Sequence, residues 1–420
     1  MEITRIMSNT SVMMIAVLLC VLGAASAEMD SQAKYSYHGF RYKSASVNYV
    51  APEDFLIMPW GWTPGDEQAM KDIKECGFNI AGFVAPEHVK VARKVGLKCI
   101  VDDPRMSTLV TDAKLTDEEI AKRVQEVVAK FKDDPTVFGY YVMDEPSAPL
   151  FPNLARWADA IRKADPNAVP YINLLPGWGT EYEEGYVEQL IKVIRPTHIS
   201  YDNYSLHDDG SVGQGIYMNL ESVRKVSLKH GIPFWNIILA NSHFHYADVT
   251  QGGINLQVYA TLAYGGRGIS YFTYFAPLIG NYRNAAVDQF LNKTPTWDML
   301  RLINLQIHQL APTYLKLKSV NVFHNQDVPQ GCSGPESSKY LSEVGGGSFL
   351  VGEFEGPNGV PFVMIVNKDI HKSTSFHAKF KDQGTVMMTN PYTGETAPFG
   401  GENGWLAPGS GVLLSLAKQK

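Results

Sequence analysis

Two adjacent acids, Asp144 and Glu145, stand directly after the apolar run 137–143 and just before Pro146. Each carboxylate raises the pKa of the other, and burial at the end of an apolar run raises both. A carboxyl group in such surroundings stays protonated close to neutral pH and can act as a general acid. Acids are also favoured at a helix N-terminus, but the residues after Pro146 delay the next helix until about Leu150. We therefore predict that both acids take part in catalysis.

Further polar side chains stand at the ends of other apolar runs. Asp202, in the run 198–204, is the best second carboxylate beside Glu145. The candidates for substrate contact are one more acid, two amides, one imidazole and several aromatic rings, namely Trp60, Trp62, Asp102, Asn173, Trp178, Tyr201, Tyr204, Asn241, His243, Tyr271 and Tyr274. Carboxylates transfer protons, amides bind hydroxyl groups and flat rings stack on sugar rings. This set of side chains therefore predicts the cleavage of glycosidic bonds.

Several of these candidates have a purely structural alternative. Any single aromatic ring can simply pack in the core. Asp202 can accept hydrogen bonds from a neighbouring loop, and Asp102 or Asp103 can form an ion pair with Arg105.

A metal site or a bound cofactor is not expected. His243 and His245, with Asp248 nearby, have the spacing of part of a metal site, but a convincing third ligand is missing. The sequence offers no glycine-rich phosphate loop, no Gly-x-Ser-x-Gly motif and no lysine at the end of an apolar run. We expect neither a metal nor a cofactor.

The candidate residues must be positioned by the elements between residues 55 and 317, where apolar runs alternate with amphipathic stretches. Eight apolar runs are present, at 55–62, 78–85, 97–102, 137–143, 169–175, 198–204, 233–240 and 268–275. The stretches between them have helical spacing, as in the one that begins at Asp117. Runs that are apolar on both faces indicate parallel strands covered by helices. Eight such units in about 260 residues predict a (β/α)8 barrel, whose polar strand ends meet at one mouth. An open doubly wound sheet is the alternative, but no Gly-x-Gly-x-x-Gly turn follows any run.

After residue 317 the sequence changes to short runs separated by turn signals. Strands are expected at 349–354, 361–366, 373–380, 385–389 and 411–417. We predict a small antiparallel β-sandwich there. The predicted organisation is a signal peptide at 1–27, a catalytic barrel at 28–318 and a C-terminal β-sandwich domain at 319–420.

The first 27 residues have the features of a secretory signal. Arg5 supplies a positive charge, residues 12–23 are apolar, and Ala25-Ser26-Ala27 is a small-residue cleavage site. The apolar stretch is too short to span a membrane as a helix, and no later run reaches about 18 apolar residues. We predict a secreted or periplasmic protein without a transmembrane segment.

Composition narrows the class of protein further. The formal charge is −6, from 37 basic against 43 acidic residues, and no basic run is present, which argues against a nucleic-acid partner. With 45% apolar residues the chain can bury a large core, which excludes a disordered protein. Cys76, Cys99 and Cys332 are expected to be buried free thiols. Asn203 and Asn292 begin N-glycosylation sequons, which matter only in a eukaryotic host.

The chain resembles the clan A glycoside hydrolases, and among them family 42-like enzymes most. Their barrels carry the acid/base glutamate at the end of strand 4, and here that strand reads Gly139-Tyr-Tyr-Val-Met-Asp-Glu-Pro. The resemblance covers residues 50–415 in architecture and the end of strand 4 in motif. It implies a polysaccharide or oligosaccharide substrate, with Glu145 as the acid/base. It also implies that Asp144 stands where the clan has an asparagine that binds the sugar 2-hydroxyl.

The clan's nucleophilic glutamate at the end of strand 7 is absent, and this leaves three interpretations open. In the first, Asp202 acts as the nucleophile or as a base that activates water. In the second, the substrate's own acetamido group is the nucleophile, as in family 18 chitinases and family 20 hexosaminidases. Tyr201-Asp202 is similar to a pair in the former, and Asp144-Glu145 is similar to a pair in the latter. In the third, the barrel binds carbohydrate without cleaving it.

Overall fold

The computed structural model describes residues 55–106, 114–400 and 404–417, together with two short paired strands at Ser36–Tyr37 and Phe40–Arg41. The predicted signal peptide lies outside the described residues.

A parallel eight-stranded barrel forms the larger part of the molecule, as the sequence predicts. Its strands are β1 (Leu56–Pro59), β2 (Ile80–Val84), β3 (Lys98–Val101), β4 (Val137–Asp144), β5 (Val169–Leu174), β6 (Ile199–Asp202), β7 (Phe234–Leu239) and β8 (Gly268–Phe272). Strands pair in chain order from β2 to β8, and β8 pairs with β1. Backbone hydrogen bonds from Phe83 to Gly61 and from Thr63 to Phe83 join β2 to the end of β1 and bring the sheet close to full closure.

Helices follow the strands and cover the outside of the barrel. They are α1 (Glu67–Glu75), α2 (Val89–Val95), α3 (Asp117–Val128), α4 (Phe151–Ala164), α5 (Glu188–Ile194), α6 (Gly215–His230), α7 (Gln251–Ala263) and α8 (Pro295–Tyr314). Short helical turns lie at Pro86–His88, Ala148–Leu150, Thr180–Tyr182 and Glu183–Val187. The helix predicted from Asp117 is confirmed, and Thr116 with Glu119 forms a capping box at its start. None of the helices in the described part of the chain combines the length and the apolar content needed to cross a membrane.

Alternation along the barrel strands separates two cores. Leu56, Met58 and Tyr171 pack inside the barrel, whereas Phe55 and Ile57 pack outward against the helices. Side chains of neighbouring residues on a strand point to opposite faces. This parity decides which residue at a strand end can reach the barrel mouth.

The C-terminal part is an antiparallel sheet with two small strand pairs on its outer face, which confirms the predicted β-domain. Its strands are β9 (Lys318–His324), β10 (Leu341–Gly345), β11 (Phe349–Glu355), β12 (Pro361–Asn367), β13 (Thr374–Ser375), β14 (His377–Phe380), β15 (Thr385–Thr389), β16 (Thr396–Pro398), β17 (Trp405–Leu406) and β18 (Gly411–Ala417). The six-stranded sheet has the order β9-β11-β12-β18-β15-β16, and β10–β14 and β13–β17 are the two pairs. The sequence did not predict β9, β10, β16 and β17, where most side chains are exposed or half-buried.

Helix α7 lies between the barrel and this sheet. All its residues from Gly252 to Ala263 are buried, and it contacts β7 on one side and β11, β12 and β18 on the other. Met364 and Val366 of β12 pack into the core shared with the barrel, whereas Val363 and Ile365 pack on the outer face of the sheet. The barrel and the sheet therefore share one hydrophobic core.

Candidate active site

A cavity of about 190 Å³ opens at the carboxyl ends of the barrel strands. Asp144, Asp202 and Phe272 are the last residues of their strands, and Trp60 directly follows β1. The full lining is Trp60, Asp144, Glu145, Asn173, Asp202, Tyr204, Ile237, His243, Phe244, Phe272 and Tyr282. Asp144, Glu145, Asn173 and Asp202, which the sequence analysis selected from three separate runs, thus lie around one space.

Asn173 holds two of the acids from the floor of the cavity. Its Nδ2 donates to Asp144 Oδ1 at 3.1 Å and to Asp202 Oδ1 at 2.9 Å. Its own Oδ1 accepts from Ser200 Oγ at 3.0 Å, and that hydroxyl also lies 2.9 Å from the hydroxyl of Tyr171. One amide therefore fixes two carboxyl groups, and a chain of buried hydroxyls fixes the amide.

Strand parity explains why these residues meet. Tyr171 and Asn173 are two apart on β5, and Ser200 and Asp202 are two apart on β6, so each pair shares a face. In the pairing of β5 with β6, Asn173 is the register partner of Ser200. The inward face of two neighbouring strands thus delivers the whole polar network.

Burial makes the two aspartates weak acids. Asp202 is only 7% exposed; burial, and then the negative charge of Glu145, raise its pKa to about 8, although the Asn173 hydrogen bond opposes the rise. Burial is also the main cause that raises the pKa of Asp144 to about 6. A raised pKa within the Asp144–Glu145 pair is predicted from the sequence, and the structure shows it at Asp144; the raised pKa of Asp202 was not predicted.

Glu145 is placed differently from the aspartates. Its side chain is exposed at the cavity opening, and it is hydrogen-bonded to the carboxyl group of Asp202. Its backbone N–H donates to Asn173 O at 2.9 Å, and its φ of +45° lies in the left-handed region. A non-glycine residue in that region is uncommon and is often found at functional sites. The turn directs the carboxyl group of Glu145 over the mouth of the barrel.

Aromatic rings form the rest of the wall. Tyr204 stacks on Phe272 with ring centroids 5.6 Å apart, and His243 stacks on Tyr282 at 5.0 Å. Burial lowers the pKa of His243, which favours a neutral imidazole that can exchange hydrogen bonds with a hydroxyl group. Apolar faces and a few polar groups are the usual composition of a small-molecule site.

Three tyrosines that the sequence analysis chose for substrate contact lie elsewhere. Tyr201, Tyr271 and Tyr274 are buried in the layer between the strands and the helices. Tyr271 donates to Asn304 of α8, and Trp297 of the same helix donates to Tyr274. Tyr201 and Tyr271 have the opposite strand parity to Asp202 and Phe272, so they point away from the mouth.

Four more candidates are also outside the cavity lining. Trp62 is 60% exposed, Trp178 lies beside a separate cavity near α6, and Asp102 is half-buried at the end of β3. Asn241 is completely buried beyond β7. These residues follow strands as predicted, but none of them lines the cavity that holds the carboxylates.

Other acids near the mouth are engaged in ion pairs. Asp103 receives two hydrogen bonds from the guanidinium group of Arg105. This is the ion pair that the sequence offers as the alternative to a role in substrate binding. Asp248 pairs with Arg283 at 3.1 Å.

The residue after Asp202 is part of the support. Asn203 is buried; its Nδ2 donates to Asn219 Oδ1 at 3.2 Å, and its Oδ1 accepts from Ser205.

Ile237, Phe244, Phe272 and Tyr282 line the cavity without having been selected from the sequence. Phe272 could have been identified from the sequence, because it is the last residue of β8 just as Asp202 is the last residue of β6. Phe244 and Tyr282 lie in long loops, where no periodicity indicates direction. Within the ranges that the structure describes, no three histidine, cysteine or acidic residues are grouped closely enough to hold a metal ion.

Comparison with known proteins supports the architecture. A scan of protein-family models finds no match, and a search of curated proteins finds none. A solved structure described as a glycoside hydrolase aligns over 88% of this chain and 97% of its own, with a TM-score of 0.55 and 12% identity. A family 5 glycoside hydrolase from Bacteroides vulgatus aligns over 87% and 89%, with a TM-score of 0.53 and 12% identity.

Two β-galactosidases, from Marinomonas ef1 and Halorubrum lacusprofundi, match more weakly. Their TM-scores are 0.49 and 0.48, and this chain spans only 63% and 59% of their lengths. The particular likeness to family 42 is not confirmed. At identities this low, what the chain shares with the glycoside hydrolase structures is the fold, a (β/α)8 barrel followed by a β-domain.

Proposed function

We propose that the protein is a secreted glycoside hydrolase that cleaves O-glycosidic bonds of polysaccharides or oligosaccharides. One observation carries the proposal: three carboxyl groups, two of them held by the single amide of Asn173, face one aromatic-lined cavity at the carboxyl ends of the barrel strands. Glycosidic cleavage needs a proton donor for the leaving oxygen and a second carboxylate at the anomeric carbon. The fold shared with glycoside hydrolases supports the same class.

Glu145 and Asp202 are the two carboxyl groups that we assign to these roles. Because the pKa of Asp202 is raised to about 8, the hydrogen-bonded pair retains one proton at neutral pH. Glu145, which is exposed at the opening, delivers that proton to the glycosidic oxygen. Asp202 is then left as a buried carboxylate beside the positive charge that develops on the sugar ring.

Asp144 has a supporting role in this scheme. Its pKa of about 6 and its bond to Asn173 keep a weakly acidic group next to the reacting carbon. There it can accept a hydrogen bond from a sugar hydroxyl, or from the acetamido N–H of a 2-acetamido sugar.

The close contact of Glu145 with Asp202 favours a second mechanistic candidate. Retaining enzymes hold their two carboxyl groups about 5–5.5 Å apart and inverting enzymes about 6.5–9.5 Å apart. Carboxyl groups in direct contact are closer together than either spacing, so we expect Glu145 to turn outward when substrate binds. In a substrate-assisted reaction no protein nucleophile is required, and Asp144 and Asp202 would instead orient an acetamido group.

The test is a screen of the purified protein against chromogenic glycosides, including 2-acetamido sugars, and a polysaccharide panel. We expect Glu145→Gln and Asp202→Asn each to lower kcat by at least about 10², the usual loss when a general acid or base is removed. Circular dichroism and melting temperature should show that both variants are folded.

Two results would contradict the assignment. Hydrolysis that survives in Asp202→Asn but is lost in Asp102→Asn would assign the role of second carboxylate to Asp102, which follows β3. Carbohydrate binding without turnover of any substrate would leave a non-catalytic carbohydrate-binding barrel.

A further inference from the structure

We propose that the cavity accepts a single terminal sugar ring, so that the enzyme removes one residue at a time from the non-reducing end of its substrate. This inference rests on the proposed function and narrows it to exo-attack. In each cycle the bond from the anomeric carbon to the bridging oxygen breaks. Water supplies a hydroxyl group to that carbon and a proton to the shortened chain.

The size of the cavity is the first argument. Its volume of about 190 Å³ is below the ~300–1,000 Å³ of pockets that hold drug-sized ligands. That volume is of the size of one six-membered sugar ring.

The second argument is the wall on one side of the cavity. The loops after β6, β7 and β8 (residues 203–214, 240–250 and 273–294) are hydrogen-bonded to one another, and we call them the loop wall. Ser242 and Arg283 exchange two backbone bonds of 2.8 and 2.9 Å, which join the second loop to the third. Asp208 N donates to His245 O, and Ala247 N donates to Leu206 O, both at 3.0 Å, which joins the first loop to the second.

Side chains reinforce the loop wall where it meets the cavity. Phe244 N donates to Asn281 Oδ1 at 2.8 Å, and Asn281 Nδ2 donates back to Phe244 O at 3.2 Å. Asp248 accepts from Arg283 and from Asn284 in the opposite loop. The backbone of Phe244 and the residues on either side of Tyr282 are thus joined to the facing loop.

The position of the wall relative to the acids gives the direction of attack. The carboxyl groups lie on β4 and β6, whereas His243, Phe244 and Tyr282 come from the loops after β7 and β8. A ring with its anomeric carbon at Glu145 and Asp202 turns its other hydroxyl groups toward the loop wall. Any further sugar attached to those hydroxyls would collide with the wall, so only a non-reducing terminal ring fits.

The test uses the sugar and linkage found in the screen, as oligosaccharides of three to six units. One series is native, and in the other the terminal non-reducing ring carries a cyclic acetal on two hydroxyls. We expect the native series to release only monosaccharide at early times. The capped series should react at least about 10² more slowly, because a ring displaced by about 1 Å loses that much rate.

A variant of the wall gives a second readout. Asn281→Ala removes both hydrogen bonds to Phe244. We expect it to raise KM and to reduce the difference in hydrolysis rate between native and capped substrates. Asn167→Ala is the matched control, since this exposed asparagine precedes β5 at the other end of the barrel, outside the loop wall. Its kinetics should equal those of the wild type.

The possible failures are distinct. Early products of two or more units, or equal rates for native and capped chains, would overturn exo-attack while leaving the hydrolase intact. If no glycoside in the panel is cleaved faster by the wild type than by Glu145→Gln, the proposed function itself fails.

Discussion

The buried carboxyl group of Asp202 keeps its proton near neutral pH, and this makes the stability of the folded state depend on pH. An aspartate has an ordinary pKa of 3.8, and burial with the charge of Glu145 raises that of Asp202 to about 8. Between these two values the unfolded chain ionises this group while the folded protein keeps it protonated. The folded state then binds more protons, so its stability falls as the pH rises.

We therefore predict that the free energy of unfolding decreases between about pH 4 and pH 8. Asp202→Asn should remove most of that decrease and be more stable than the wild type at pH 8. One pKa unit corresponds to about 1.4 kcal/mol, so the gain should be on the order of a few kcal/mol. Urea unfolding of the wild type and of Asp202→Asn at pH 5 and pH 8 measures this gain in stability.

Asp208→Asn is a suitable control, because Asp208 is an exposed acid in the loop that follows Asp202. Its pH dependence should match the wild type. Parallel pH curves for Asp202→Asn and the wild type would show that Asp202 ionises normally in the folded protein.

At the scale of the elements, the sequence predicted all eight barrel strands, because each is an apolar run of strand length. It also predicted that Asp144, Asn173 and Asp202 would meet, since parallel strands end at one rim. It did not show that Asp202 faces the cavity and Tyr201 the helices, because only the register of the finished barrel decides which of two neighbouring residues faces inward. It could not predict Tyr282, which is carried into the cavity by a long loop held through Ser242 and Arg283.

The contact of α7 with the C-terminal sheet depends on glycine. A Cβ added at Gly352 of β11 would overlap the carbonyl group of Ala263 at the end of α7. Since backbone atoms on both sides must move, we predict that Gly352→Ala lowers the free energy of unfolding by about 1–3 kcal/mol. Denaturant unfolding checks this.

Gly185→Ala is the matched control, because a Cβ there meets no atom within 4 Å. It should be neutral or slightly stabilising. An equally small effect at Gly352 would mean that the sheet is free to move away from α7.

On the scale of the whole molecule, α7 makes the barrel and the sheet a single structure. The outward face of the helix is covered by β11, β12 and β18, and Leu350, Met364 and Leu413 of these strands belong to the core of the barrel. Removing the sheet would expose that face to water.

We accordingly predict one cooperative transition in differential scanning calorimetry, with the calorimetric and van't Hoff enthalpies equal. Two resolved transitions, or a soluble and folded chain that ends at residue 317, would contradict the shared core.

The burial of Asn203 has a practical consequence for producing the protein. Its sequon, Asn203-Tyr-Ser, is accessible only before folding, because in the folded protein its amide is bonded to Asn219 and Ser205 beside Asp202. A glycan added there during synthesis in a eukaryotic host would prevent β6 from taking its place. Replacing Asn203 to avoid this would remove two hydrogen bonds from the support of Asp202, whereas Asn292 is exposed and its side chain donates to Asp288, outside the cavity lining. Expression in a bacterial host keeps both the amide and the fold.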